Sequence, residues 1–485
     1  MAGTILPLAS DFGAPTRDQW LSLVEKTLKG QTFEDALVKR TGGGVALQPL
    51  YTAQDAPAAG VRDLAARDAA RPWDLRTTVA HPDPVRANAD ILKDLENGAA
   101  SVLVAIDPTG KAGVAVGSSE TLGRVLGGVL LDLAPVALDA GFLGPKAADW
   151  LGALAKGGPE APLAFHMDPL SAFAATGASP GPVESHLISA ATVGARLAAT
   201  YPKASLMLAT GRVVHEAGGT EAQELGFAAA AALAYAKALV RAGLSVDDAF
   251  GRIVVGVSTD GEYFTDIAKV RAARAVFARI AAASGSTRVL AKIEARSSGR
   301  MLTKKDPWTN LLRLTAAGFG AAVGGADSVI LGAFTDALGL PTAFGRRQVR
   351  NTQLVLMEES HLGRVADPAG GTWYLEKLTD DLARAAWAEF QAIETAGGAI
   401  EALADGSIAA RIATAREARQ AGIATKAEKI LGVTVFPNAD DKPVEIETPE
   451  AGVFATTAPD PRLPGPDGKC LPLTPIRWAA AFEEA

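Results

Sequence analysis

Between residues 73 and 331 the chain alternates short apolar runs with longer stretches whose apolar residues recur at helical spacing. The short runs are Trp73–Val79, Val102–Ile106, Pro135–Leu138, Leu163–Met167, Ser205–Ala209, Ile253–Val257, Val289–Ile293 and Ser328–Leu331. The stretches near 84–97, 120–131, 146–156, 183–200, 220–243, 264–283 and 308–323 read as helices, and one at about 344–360 follows the last run. Strands that each precede a helix call for a parallel sheet, and right-handed βα units in this number close into a barrel. The competing doubly wound sheet has fewer strands and a glycine-rich turn, and no G-x-G-x-x-G follows the first run. The expected fold is α/β: a (β/α)8 TIM barrel over 71–360, an N-terminal extended arm and helix over 1–70, a helical extension over 361–430, and a proline-rich linker or tail over 431–485.

The flanks read differently. DQWLSLVEKTLKG sets Trp20, Leu23, Val24 and Leu28 at helical spacing and stops at Gly30. TGGGVALQPLYT is extended and is expected to wrap another surface. Residues 373–396 and 398–421 read as two helices, and proline then recurs from Val433 to Pro475. A net charge of −7 argues against a nucleic-acid partner, which calls for a basic face. The longest apolar tract, Gly226 to Leu239, carries Tyr235 and Lys237 and is too short to span a bilayer, so no membrane partner is expected. The single cysteine, Cys470, excludes an intrachain disulfide, and MAGTILPLASDFGAPTRDQW lacks a leader pattern. The expected location is cytoplasmic.

Some residues carry possible chemistry. His166 and Asp168 end the fourth run as H-x-D, a possible metal pair with only Asp260 and Glu294 as clear partners. Buried polar contacts at the barrel mouth are the plainer reading. Arg346, Arg347 and Arg350 lie along one helix and suit either phosphate or acidic neighbours such as Glu358 and Glu359. Gly324-Gly325 reads as a turn before the last strand.

LGLPTAFGRRQVRNTQLVLMEESHLGRVADPAGGTWYLEKL at 338–378 combines a long helical pattern with an Asp-Pro-x-Gly-Gly turn. With RPWDLR at 71–76, HEAGGTEAQELGFAAAAALAYAKAL at 215–239, KIEARSSGRMLTKKDPWTNLLRLTAAGFGAAVGGADSVILGAFTDALGLP at 292–341 and GVTVFPN at 432–438, it resembles the methylmalonyl-CoA mutase family over most of the chain. The resemblance implies an isomerase in which adenosylcobalamin supplies the radical chemistry, acyl-CoA threads the barrel axis and cobalamin caps one mouth. Arg296-Ser297-Ser298-Gly299 would hold a phosphate or carboxylate in active members, and is read here as inherited architecture.

The family's reactive positions are altered. Catalytic members read roughly R-P-W-x-I-R-Q-Y-A-G; RPWDLRTTVAH puts Thr78 at the tyrosine. They read G-Y-H-M-Q-E-A-G before the long helix; GRVVHEAG puts Val213 at the histidine. His215, two residues on in what reads as a strand or loop, is a weak substitute, expected to face solvent or cap a helix. No D-x-H-x-x-G, the family's cobalt-ligand motif, occurs in these residues. The resemblance therefore points to the non-catalytic small (beta) subunit of a heterodimeric enzyme, shortened by the cobalamin-type domain. It would have no catalytic, cofactor or metal residues of its own and would pair with a catalytic large subunit that binds adenosylcobalamin. The alternatives are the catalytic barrel of a split acyl-CoA mutase and a metal-dependent barrel hydrolase.

Overall fold

The computed structural model describes residue 13 and residues 15–57, 68, 70–287, 290–450 and 452–483. The first twelve residues, read above for a leader, and Val289, read above into the seventh strand, lie outside the described residues.

Eight parallel strands close a barrel in chain order: β1 (Asp74–Val79), β2 (Ser101–Ala105), β3 (Val136–Asp139), β4 (Ala164–Met167), β5 (Ser205–Thr210), β6 (Ile253–Thr259), β7 (Lys292–Ser297) and β8 (Ser328–Ile330). Closure is made by β8 on β1, where Ile330 stands opposite Arg76. Alternate residues point to opposite faces of a strand. Outward residues such as Val79, Val102, Val104, Leu138, Val257, Ile293 and Val329 join one continuous core beneath the helices. Leu103, Ala137, Ala164 and Ile330 form a separate cluster. They come from β2, β3 and β4, which are neighbours, and from β8, separated from β2 only by β1, so they meet on the inner face of the barrel.

The enclosing helices include α1 (Arg17–Leu28) in the arm and α2 (Pro84–Glu96), α3 (Ser119–Val125), α4 (Gly144–Leu154), α5 (Val183–Thr200), α6 (Glu221–Arg241), α7 (Tyr263–Ala283), α8 (Asn310–Gly324) and α9 (Ala343–Leu354) around the barrel. Asp83 caps α2 and Pro84 opens it, a position where the missing N–H costs nothing. Thr220 and Gln223 form a reciprocal capping box on α6. Beyond the barrel come α10 (Trp373–Thr395), α11 (Ala399–Ala404) and α12 (Ser407–Ala424). Helix α6 is buried on nearly all sides, Phe227 through Ala232 included, because it lies between the barrel and α10.

Three expected boundaries are corrected. The seventh strand begins at Lys292, not in the apolar stretch before it, because its inward face is charged: Lys292, Glu294 and Arg296 alternate with outward Ile293 and Ala295. Helix α3 ends at Val125, followed by Gly127 and Gly128, the latter at φ 80°. The 398–421 segment is two helices, broken at Gly406 with φ 79°, a conformation that favours glycine.

The arm and tail pack on their own chain. The glycine-rich segment makes a two-stranded hairpin, Lys39–Arg40 with Ala46–Leu47. Its Gly43 lies so close to the start of α6 that an added Cβ would sit 2.3 Å from Glu221 Oε2. In the tail, Gly468–Lys469 pairs with Ala178–Ser179. Helix α1 is the exception: none of its residues is buried, and Leu23 is 63% exposed. Among the described residues no helix is long and apolar enough to cross a membrane.

Candidate functional site

The carboxyl ends of barrel strands are where side chains from several strands converge. A cavity of about 630 Å³ opens there, lined by Thr78 near the end of β1, Arg296 and Ser297 at the end of β7, Ile330 and Leu331 at the end of β8, and Arg346 and Val349 of α9. Pro475 of the tail closes one side. The tail then crosses the mouth: Ile476 N–H donates to Glu216 O, Trp478 N–H donates to Arg300 O, and the Arg300 and Arg419 guanidinium groups both lie over the Trp478 ring, at 5.4 and 5.1 Å.

Below the cavity the axis holds ions. Arg76 Nη1 donates to Glu294 Oε2 at 2.7 Å, Arg296 Nε to Glu294 Oε1 at 2.8 Å, and Arg296 Nη1 to Asp139 Oδ2 at 3.1 Å. The last pair joins β7 to β3 across the barrel. Glu294 is fully buried, and its carboxyl lies well below the usual range: burial works to raise it, and the charges of Arg296 and Arg76 override that. His166 Nδ1 sits 3.8 Å from Glu294, and burial lowers the imidazole to about 4, so it is neutral at pH 7. A buried set of this kind is stable only when its members stay paired.

Thr78 and Val213, the residues at the family's reactive positions, differ in placement. Thr78 lines the cavity, and its carbonyl accepts Arg346 Nη1 at 3.2 Å. Val213 lies in a single helical turn, Arg212–Glu216, packed against the main core and not on the cavity. That turn corrects the reading of His215. It is not in a strand or loop, and it neither faces solvent nor caps a helix: it is 0% exposed. Its Nδ1 lies 3.1 Å from Glu224 Oε2 and its Nε2 2.9 Å from Ser298 Oγ. Beside a carboxylate Nδ1 donates, so Nε2 accepts from the Ser298 hydroxyl and the ring is neutral. Burial, then the Arg300 and Lys269 charges, hold its pKa well below the ordinary value.

This Ser298–His215–Glu224 chain has the order of a nucleophile, base and orienting acid. Ser298 is 1% exposed and does not line the cavity, so no substrate atom meets it. Glu224 is also bound by Lys269 at 3.1 Å, and Ser298 accepts the Arg300 N–H at 3.2 Å. The network fixes the turn after β7 to the start of α6.

The other candidates are dispersed. Asp168 caps the helix Pro169–Thr176 and accepts the Tyr235 hydroxyl, while Asp260 pairs with Arg300 at 3.5 Å. Among the described residues, no group of three His, Cys, Asp or Glu is arranged to hold a metal ion. Arg346 and Arg350 do not pair with Glu358 or Glu359; both bind Asp94 of α2, tying α9 to the barrel's first crossover. Arg347 is exposed. Gly325 is the left-handed cap of α8, in line with the expected turn. The axial ion set and Arg212 were missed from sequence. The one signal was the period-two charge of KIEAR, charged residues on one strand face and apolar on the other.

A family model described as "Methylmalonyl-CoA mutase" matches residues 59–457. The chain is 41% identical over 471 residues to a methylmalonyl-CoA mutase small subunit of Streptomyces virginiae, covering 92% of this chain and 75% of that one. It is 33% identical to the small subunit of Propionibacterium freudenreichii subsp. shermanii, covering 91% and 72%. It is 32% identical to a protein named methylmalonyl-CoA mutase from Cereibacter sphaeroides, covering 88% and 65%.

Proposed function

The chain belongs to the methylmalonyl-CoA mutase family and is of its small-subunit kind, and from that premise we propose that it is a non-catalytic partner of a catalytic large subunit. The large subunit carries out the methylmalonyl-CoA/succinyl-CoA isomerisation and binds adenosylcobalamin. The observation that carries this reading is the buried Arg76–Glu294–Arg296 set, which puts paired charges inside the barrel where an acyl-CoA would have to thread. Two further features support it. Neither Thr78 nor Val213 can donate a proton from a phenol or an imidazole, and both ring nitrogens of His215 are committed away from the cavity. The mouth does not fit a corrin either, because Pro475, Ile476 and Trp478 lie across it.

Helix α1 is the element proposed to meet the partner. It sets Trp20, Leu23, Val24 and Leu28 at helical spacing, yet none is fully buried in its own chain: Trp20, Val24 and Leu28 are half-buried, Trp20 against Phe33, and Leu23 is exposed. The complex is proposed to be a cytoplasmic heterodimer.

The test is reconstitution. The chain and a large subunit from the same genome are purified separately and assayed for isomerase activity with added adenosylcobalamin, alone and mixed. The expected result is no turnover from this chain alone and co-elution of the mixed pair as an active complex. Turnover by this chain alone, with or without a separately supplied cobalamin domain, would overturn the proposal.

A further inference from the structure

The entry to α8 carries an apolar face that its own chain leaves open. Trp308 lies in the turn Pro307–Thr309 that leads into α8. Its ring stacks on Phe334 at 5.0 Å and meets Phe344 of α9 edge-on at 6.1 Å. Phe334 is buried, but Trp308 and Phe344 are exposed. Leu312 follows Trp308 by four residues, about one helical turn, and is 68% exposed. A loop is fastened to the same entry: Arg313 Nη2 donates to Leu431 O at 2.8 Å, and Asp306 N–H donates to Asp441 Oδ2 at 2.7 Å. The loop so held presents Leu431, exposed, and Phe436, 80% exposed. Phe436 adopts φ 50°, a conformation in which a bulky side chain is strained. Its ring gains almost no packing within the chain in return, and strain kept at such a place points to a contact made outside it.

Single exposed apolar residues are ordinary, but a group of them is not. A standard interface buries about 800 Å² per partner, a little over half of it apolar, with Trp and Phe enriched at its centre. Aromatic side chains bring about 150–250 Å² each, and these three aromatics and two leucines, each 41% exposed or more, come near that apolar share. Leu23 of α1 is one side chain and falls far short of it. The patch also adjoins the arm. Gly42 of the arm hairpin packs on Arg419, where an added Cβ would come 2.8 Å from Nη1, and Arg419 Nε donates at 3.0 Å to Glu428, three residues before Leu431. A partner seated on the arm is therefore beside the patch. A second copy of this chain would bring the same net charge of −7 to the contact, which opposes self-association.

We propose that Trp308, Leu312, Phe344, Leu431 and Phe436 form a docking face for the catalytic large subunit, with Phe436 seated in an apolar pocket of that partner. The proposal rests on the reading of this chain as a companion subunit and adds a second contact to the one at α1.

The test is sedimentation of the full chain mixed with the large subunit from the same genome, comparing wild type, Phe436→Gly, Leu312→Asp and Ile188→Asp, each also run alone. Glycine suits φ 50° at 436, and a carboxylate at 312 sits in the first turn of α8, where the helix dipole favours it. Both variants are expected to melt as wild type does and to bind the large subunit at least tenfold more weakly. Should one of them lose the wild-type melting transition, the other decides. Ile188 is exposed on α5, on another side of the barrel, and Ile188→Asp is expected to bind within twofold of wild type. Failure of the wild-type chain to bind the large subunit overturns the companion reading and this proposal with it. Binding by wild type that Phe436→Gly and Leu312→Asp leave unchanged overturns this proposal alone, as does equal weakening by Ile188→Asp. A wild-type chain that dimerises by itself and is made monomeric by either patch variant also overturns it, because the face is then covered by a second copy.

Discussion

At the scale of single residues, the buried histidines set how acid acts on this protein. His166 has its pKa lowered from 6.5 to about 4, chiefly by burial. The unfolded chain therefore takes up this proton at higher pH than the native one. The stabilisation is complete above about 6.5 and is lost as pH falls toward 4, a change of roughly 3 kcal/mol. His166 adopts φ 45°, a conformation that asparagine also tolerates. His166→Asn is thus expected to lack that part of the pH dependence. Urea titrations at pH 7 and pH 4.5 check it: the stability gap between wild type and variant should narrow or reverse at the lower pH. Asp168 has the opposite sign. Burial raises it to about 6, so its ionisation weighs against the fold as pH rises from about 4 to 6. Asp168→Asn keeps a side chain able to cap Pro169–Thr176 and should gain stability relative to wild type across that interval, read from the same titrations. His215→Leu leaves Glu224 and Ser298 each short of a partner and is expected to cost about 2–4 kcal/mol by urea denaturation.

At the scale of elements, packing overrides propensity. Gly226 lies inside α6, where alanine would normally stabilise a helix by about 1 kcal/mol. Here an added Cβ would come 2.5 Å from Glu389 Cβ and 3.0 Å from the backbone nitrogen of Phe390 on α10. Gly226→Ala is therefore expected to lower stability by about 1–3 kcal/mol, measured as a fall in the urea midpoint. The elements were also the most legible level of the sequence. The strand and helix periods gave the barrel and its order because outward strand faces are apolar and the helices are long. The misplaced seventh strand shows where that reading stops: its inward face is Lys292, Glu294 and Arg296, and an apolar criterion passes over it. The turn holding His215 is five residues long, too short for any period to reveal, and its burial depends on Ser298, 83 residues away.

At the scale of the whole molecule, what matters are contacts between distant parts of the chain, and these were the least legible. Arg76 and Glu294 are 218 residues apart, Arg296 and Asp139 157 apart. Nothing in the local pattern around any of them announces the pairing. The substitutions at Thr78 and Val213 were readable from the resemblance. The buried ion set inside the barrel and the tail across the mouth needed coordinates. The arm shows the same limit: the surface its glycine-rich part wraps is the start of α6 in its own chain, while α1 makes contacts such as Trp20–Phe33 and Arg17–Asp55 and leaves Leu23 exposed. Leu23→Asp on α1 is expected to weaken assembly with the large subunit at least tenfold while leaving this chain's melting temperature within about 1 °C, since Leu23 is 63% exposed. Sedimentation of the mixed chains checks it.

The most direct measurement of where catalysis resides is turnover of the reconstituted pair with Thr78→Ala and Val213→Ala together in this chain. A companion barrel predicts turnover within about twofold of the unmodified pair, and complete loss when the matching tyrosine and histidine are removed from the large subunit instead. Loss of turnover from the changes in this chain, in a pair that still assembles, would contradict the account.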